Sequence, residues 1–254
     1  MNELRQRLTE VLRNSNNIVF FGGAGVSTAS NIPDFRSANG LFHQKLHRTL
    51  SPEEMVSRTF YERYPEDFYD FYRNHLVYPE AEPNDCHKAL AKLEQMGKLS
   101  AVVTQNIDGL HQKAGSKVVY ELHGSVLRNY CERCHKFYGV EAILETSGVP
   151  RCECGGIIKP DVVLYEESLD DNVINKAVTA IAKADTLIVG GTSLIVYPAA
   201  GLIQYYRGNN LVLINKSTTQ ADSYASLVLH EDIASVMKEV TDALEYCNQE
   251  REKL

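Results

Sequence analysis

Ile18-Val19-Phe20-Phe21-Gly22-Gly23-Ala24-Gly25-Val26-Ser27-Thr28-Ala29-Ser30 is a β-branched and aromatic run that stops on a cluster of small residues. An apolar run without alternation suits a strand buried on both faces, as in a parallel sheet. The small residues after it let backbone amides approach a pyrophosphate at the amino end of a following helix. The pattern departs from the usual dinucleotide fingerprint. Thr28 replaces its third glycine, and Asp34 comes too early to be the ribose-binding carboxylate. By itself the stretch also reads as a plain strand-to-helix turn.

Further runs of the same kind follow: Ala101-Val102-Val103-Thr104, Val162-Val163-Leu164-Tyr165, Leu187-Ile188-Val189 and Leu211-Val212-Leu213-Ile214. Helical patterns separate them. Asn84 or Asp85 caps one holding Ala89, Leu90, Leu93 and Met96 that ends at Gly97, and Asp170 or Asp171 caps another holding Val173, Ala177, Ala180 and Ile181. The alternation predicts an α/β, doubly wound Rossmann-like parallel sheet. Two stretches interrupt it: an aromatic and charged one at 37–81, where Ser51-Pro52-Glu53-Glu54 is a capping-box helix start, and a cysteine segment at 126–157. We expect residues 1–36, 82–125 and 158–254 to form the Rossmann-like, nucleotide-binding domain. Residues 37–81 and 126–157 should form a smaller helical and zinc-binding lobe.

At 254 residues the chain can bury a large core, and its net charge of -7 would repel nucleic acid. Leu4, Leu8, Val11 and Leu12 recur at helical spacing among Arg5, Arg7, Glu10 and Arg13, so the N-terminus reads as an amphipathic helix and not as a signal peptide. No apolar run approaches the roughly 20 residues that cross a bilayer. A soluble, cytoplasmic protein with no membrane partner is expected.

Four of the six cysteines are paired in sequence, Cys131 with Cys134 and Cys152 with Cys154. That spacing points to a tetrahedral zinc held by four thiolates, which leaves no position open for water and makes the metal structural. Gly155-Gly156 supplies backbone freedom for the tight second pair.

Thr104-Gln105-Asn106-Ile107-Asp108-Gly109-Leu110-His111 places amides and a carboxylate just beyond a strand's carboxyl end, where they can recognise a carboxamide and ribose hydroxyls. Asn31-Ile32-Pro33-Asp34-Phe35-Arg36-Ser37 can fold over a bound cofactor. His123, in Glu121-Leu122-His123-Gly124-Ser125, is a candidate base near physiological pH. Gly190-Gly191-Thr192-Ser193-Leu194 offers a second phosphate or ribose turn, and Asn215 an amide for the adenosine ribose.

GAGVSTASNIPDFRS, TQNIDGLHQKAG, ELHGS, the four cysteines, KPDVVLYEE and GTSLIVYPAA occur in that order. As a set, from about residue 15 to 240, they resemble the sirtuin family of the bacterial type. The resemblance implies an NAD-dependent deacetylase that removes acetyl or other uncharged acyl groups from lysines of proteins or peptides. Its products would be nicotinamide, free lysine and O-acyl-ADP-ribose. It implies that Ala24, Thr28, Phe35 and Arg36 line the NAD site, with Gln105, Ile107 and Asp108 around the nicotinamide and its ribose. Thr192, Ser193, Asn215, Asp232 and Ile233 would hold the adenosine half. His123 would be the catalytic base, itself in contact with NAD, and Asn106 a helper near ribose and water.

Two departures stand out. Gly22 replaces a threonine that many relatives carry. Glu166 replaces a glycine at the edge where the family clamps the substrate backbone, so a preference for basic flanking residues is expected if its carboxylate faces the peptide. Relatives that favour acidic acyl groups carry a Tyr and, three places on, an Arg. Here Tyr69 is followed by Tyr72, with Arg73 one place off, which favours uncharged acyl groups. A non-catalytic NAD or ADP-ribose sensor would need the nucleotide turns but not His123, Asn106 and Asp108 together. Mono-ADP-ribosyl transfer would use the same activated ribose.

Overall fold

The structure, a computed structural model, describes residues 1–34 and 50–251, with side chains through 247. Strands β1 (Ile18–Gly22), β2 (Leu99–Thr104) and β3 (Val119–Glu121) join β7 (Thr186–Gly190), β8 (Asn210–Ile214) and β9 (Leu227–Leu229) in a parallel sheet of order β3-β2-β1-β7-β8-β9. The chain runs outward one way from β1 and the other way from β7. The reversal leaves a crevice beyond the carboxyl ends of those two strands, where open α/β sheets bind ligands.

Both faces of the sheet are covered, which is why its strands read as unbroken apolar runs. Phe20, Val102, Ile188 and Val212 pack with Leu8 and Leu12 of α1 (Glu3–Asn14), Leu90 and Leu93 of α5 (Asp85–Gln95), and Val236, Val240 and Leu244 of α9 (Ile233–Arg251). Val19, Phe21, Val103, Leu187, Val189 and Leu213 point the other way, onto Ala177 and Ile181 of α8 (Asp171–Lys183) and onto Leu202 and Ile203. Of the alternative caps, Asn84 and Asp170 are used. Asn84 accepts from Cys86 N at 2.9 Å, and Asp170 from Asn172 N and Val173 N at 2.7 and 3.0 Å.

The run Val162–Tyr165 is not a strand of this sheet. Its first residue ends β6 (Ile158–Val162), which pairs antiparallel with β4 (Gly124–Cys131), and β5 (Phe137–Tyr138) lies on the other side of β4. Its apolar residues Val162 and Leu164 are buried in a different core, so the burial was legible while the partner was not. This small sheet takes in Gly124 and Ser125, paired with Val162 and Asp161, and so reaches slightly beyond residues 126–157. It packs on an aromatic cluster from α2 (Pro52–Met55), α3 (Arg58–Arg63) and α4 (Pro65–His75), in which Phe60, Tyr61, Phe68, Tyr69 and Tyr72 are buried. Ser51 opens α2 as the sequence predicts: Glu54 N donates to its Oγ at 3.3 Å, and Ser51 N donates to Glu54 Oε2 at 2.7 Å. Two short helices, α6 (Leu110–Lys113) and α7 (Glu141–Leu144), complete the α-helices among the described residues. None of the described helices is long and apolar enough to cross a membrane.

Candidate active site

Beyond β1 the backbone makes two short 3-10 turns, Ala24–Val26 and Thr28–Ser30, where the sequence led us to expect an α-helix. The small residues serve a close approach between two turns. A Cβ on Gly25 would lie 2.8 Å from the Cα of Gly191, and one on Gly191, at φ +61°, would lie 2.4 Å from Val26 N. Gly25 N donates to Gly191 O at 2.8 Å, so the turns after β1 and β7 are one unit at the crevice. Gly191→Ala should therefore weaken NAD binding at least tenfold while the sheet survives, measured by NAD titration. Unchanged affinity would show that the contact is dispensable.

Around this unit the side chains form a polar chain. Asn106 Nδ2 donates to Ser27 Oγ at 3.0 Å, and Ser27 Oγ donates to Asp108 Oδ2 at 2.6 Å. The other Asp108 oxygen accepts from Leu110 N at 2.9 Å. Each bond orients the next, so the carboxylate is fixed before any ligand arrives. Sequence reasoning missed Ser27. It is buried beside the glycines, and nothing in its spacing announces that residues 79 and 81 places onward converge on it. Gln105 is set by its own backbone, whose N donates to Gly22 O at 3.0 Å, and its Nε2 donates to Thr192 Oγ1 at 3.0 Å. Thr28 Oγ1 donates to Gly25 O at 3.0 Å. Ala24 and Ile107 are half-buried near the same turns.

His123 follows β3 at the same end of the sheet. Its Nδ1 lies 2.9 Å from Gln105 O; a carbonyl only accepts, so Nδ1 carries the proton and Nε2 is left basic. Burial lowers its pKa from the ordinary 6.5, against the opposing effect of the Gln105 carbonyl. The imidazole is thus neutral at physiological pH, as a general base requires.

On the adenosine side, Asn215 Oδ1 accepts from Thr192 N at 3.0 Å, while its buried Nδ2 has no acceptor among the described residues. An orphaned buried donor fits a ligand hydroxyl or ring acceptor. Ser193 is exposed. Asp232 pairs with Lys216 at 3.0 Å and accepts from Ser235 N at 3.1 Å, so it is already engaged. Ile233 is buried under Gly190 and offers a ligand only its backbone. Phe35 and Arg36 lie outside the described residues.

The four cysteines converge as expected. Their Sγ atoms lie within 4.8 Å of one another, with Cys131 and Cys154 at 3.4 Å and Cys134 and Cys152 at 3.6 Å. Four thiolates at about 2.3 Å from a zinc are about 3.8 Å apart, so the donor set fits that ion. Arg133 N and Cys134 N each donate to Cys131 Sγ at 3.4 Å, and Tyr138 OH donates to Cys152 Sγ at 3.0 Å. Gly155 has φ +84°, and a Cβ on Gly156 would lie 2.7 Å from Cys131 Sγ. Cys131 and Gly124, the neighbour of His123, lie at opposite ends of β4, and the partner residues Ile158 and Val162 are four steps apart, roughly 13 Å at strand rise, so the cysteine cluster is a site separate from the histidine.

A reversed parallel sheet with two interlocked glycine turns, a neutral histidine, an orphaned amide and a remote four-thiolate cluster defines an enzyme that binds a dinucleotide and keeps a structural metal. The sequence profile of the Sir2 family matches residues 23–198. The chain belongs to the Sir2 family. It is similar to a Clostridium perfringens protein named NAD-dependent protein deacetylase, 68% identical over 244 residues, covering 95% of this chain and all of that one. A Staphylococcus aureus protein of the same name is 48% identical over 234 residues, covering 92% and 96%. Among solved structures, Sir2 with deacetylated p53 peptide and 3'-O-acetyl ADP ribose matches at TM-score 0.86 and 39% identity, covering 94% and 97%. A Sir2 homologue bound to NAD matches at TM-score 0.86 and 34% identity, covering 95% and 94%.

Two further histidines lie buried beneath this site. His87 Nδ1 accepts from Asn84 N at 3.2 Å, and the His87 ring meets His111 edge-on at 4.7 Å. Burial holds His87 down to about 4 and His111 well below its ordinary 6.5. The unfolded chain takes up these protons near 6.5 and the folded chain only at lower pH. Stability should therefore be full above about pH 6.5 and fall as pH drops toward 4. Thermal midpoints across that window check this; a flat profile would contradict it.

Proposed function

We infer that this chain is an NAD-dependent protein deacetylase in which Nε2 of His123 is the general base. The products are nicotinamide, free lysine and O-acyl-ADP-ribose. The observation that carries the assignment is the hydrogen bond between His123 Nδ1 and Gln105 O, which fixes the tautomer beside the Asn106–Ser27–Asp108 chain. Bound NAD supplies an anomeric carbon that the acyl oxygen attacks as nicotinamide leaves.

Ser27 and Asp108 orient the amide of Asn106, and Asp108 and Ile107 receive the nicotinamide end with Gln105. His123 then takes the proton of a ribose hydroxyl, this oxygen attacks the acyl carbon, the bond to the lysine nitrogen breaks, and one water supplies the oxygen and protons that leave free lysine and O-acyl-ADP-ribose. Ala24, Thr28, Thr192, Ser193, Asn215, Asp232 and Ile233 hold the remainder of the dinucleotide, joined by Phe35 and Arg36. The segment 163–166 is the edge that takes the peptide backbone. Its support is that Val163 N donates to His123 O at 3.0 Å, tying the edge to the base. Cys131, Cys134, Cys152 and Cys154 hold a structural zinc.

Uncharged acyl groups suit the site. Arg73 Nε donates to Ile143 O at 2.7 Å and Tyr69 OH donates to Ile158 O at 2.6 Å, so neither is free for an acyl carboxylate. The separate cores support a division into residues 1–36, 82–125 and 158–254 against 37–81 and 126–157 in outline, although Ile158, Val162 and Leu164 pack in the core of the smaller lobe. We place the protein in the cytoplasm without a membrane or nucleic-acid partner, in keeping with its net charge of -7.

Mass spectrometry of a reaction of NAD with an acetyl-lysine peptide tests the reading. Deacetylated peptide with O-acetyl-ADP-ribose is expected. A peptide gaining ADP-ribose would make transfer the main activity, and binding without turnover would leave a sensor.

A further inference from the structure

Glu166 stands where many relatives carry glycine, and its backbone has φ +76°, a conformation that glycine adopts freely and a residue with a Cβ adopts at a cost. The sequence nonetheless keeps a carboxylate here. The charge does not face solvent unpaired: Glu166 Oε2 accepts from Thr59 N at 2.8 Å and from Thr59 Oγ1 at 2.7 Å. The attraction for basic peptides expected from the sequence is correspondingly weakened, because the carboxylate is turned toward α3.

The four amide groups at the amino end of α3 have no partners within the helix. Two are met locally, with Ser57 N donating to Glu54 O at 3.2 Å and Phe60 N to Ser57 Oγ at 3.1 Å. The other two go to the neighbouring segment. Arg58 N donates to Tyr165 O at 2.9 Å, and Thr59 N donates to Glu166. Tyr165 N returns a bond to Val56 O at 3.0 Å. At the far end of the same segment Val163 N reaches His123 O at 3.0 Å. Residues 163–166 are thus stretched between the base and α3. Among the described residues, Val163 O and Glu166 N have no hydrogen-bond partner and face no competing claim.

We propose that Glu166 is a positioning residue for the acyl-lysine peptide: by bonding Thr59 through its carboxylate it fastens the substrate edge to α3 and holds Val163 O and Glu166 N in register. This rests on reading residues 163–166 as the edge that takes the peptide. Arg58 reinforces the same joint, reaching Glu167 at 3.4 Å and Glu132, beside the cysteine cluster, at 3.2 Å.

The test compares wild type, Glu166→Gly and Glu166→Gln on a neutral acetyl-lysine peptide, with peptide KM, NAD KM and kcat measured separately. Hydrogen exchange of residues 163–166 is followed with and without peptide. Glu166→Gly suits the backbone and removes the carboxylate together with its two-carbon stem. It should raise peptide KM about two- to fivefold, the span of an exposed charge-assisted contact, with NAD KM unchanged. Glu166→Gln keeps an acceptor oxygen and should recover most of the loss. Peptide that protects 163–166 from exchange, combined with equal peptide KM in all three proteins, overturns the positioning role alone. A parallel rise in both KM values that Gln does not rescue overturns it too. Peptide that protects a different edge overturns the substrate-edge reading and the proposal together.

Discussion

His123→Ala is expected to bind NAD nearly as tightly as the wild type and to lose turnover by about 10²–10⁴-fold, the usual contribution of a positioned general base. The ring does little for the fold. It sits half-buried at the end of the sheet, and its one hydrogen bond is from Nδ1 to Gln105 O. Removing it deletes the proton acceptor and leaves Ser27, Asn106 and Asp108 bonded to one another. Wild-type kcat/KM should rise with pH along an acidic limb whose midpoint lies below 6.5, because burial depresses the imidazole of the free enzyme and the base works only when neutral. The alanine variant should lack that limb. Titration of NAD binding alongside a pH profile of kcat/KM separates the effects. Near-wild-type turnover in the variant would remove His123 from the mechanism.

Cys131→Ser and Cys152→Ser should each abolish zinc retention and unfold the small sheet, with activity lost as a consequence. Cys131 and Cys152 are buried within the core that also holds Phe68, Tyr69 and Tyr72, so the knuckle and the helical cluster fold as one body. Structural zinc binding contributes about 10–16 kcal/mol in small thiolate sites, which matches or exceeds the whole stability of a typical domain, about 5–15 kcal/mol. One lost ligand is thus enough to melt the lobe. Metal analysis should find a single zinc per wild-type chain and much less in the variants, and circular dichroism should report the lost structure. An active wild-type protein without zinc would refute the assignment.

The sequence made the strand cores legible because both faces of the sheet are covered, which forces unbroken apolar runs such as Ile18–Phe21 and Leu211–Ile214. The metal site was equally legible, since four thiolates in two close pairs need only local turns to converge. The Val162–Tyr165 run was misassigned because burial in a small antiparallel sheet and burial in a parallel one leave the same mark on a short apolar stretch. The α-helix expected after the glycines was wrong for a similar reason: glycine spacing records a close approach, not what approaches, and here the neighbour is the turn at Gly191.

What the sequence determined by itself is therefore what local chemistry and periodicity encode: the sheet class, helix starts at 84–85 and 170–171, the thiolate cluster and the set of polar residues at strand ends. Only the tertiary structure decided how those residues engage one another. It brought Ser27 between Asn106 and Asp108, set the His123 tautomer through a carbonyl 18 residues away, and turned Glu166 toward Thr59. Hydrogen bonds between residues far apart in the chain depend on where whole elements pack, and no short window of sequence carries that information.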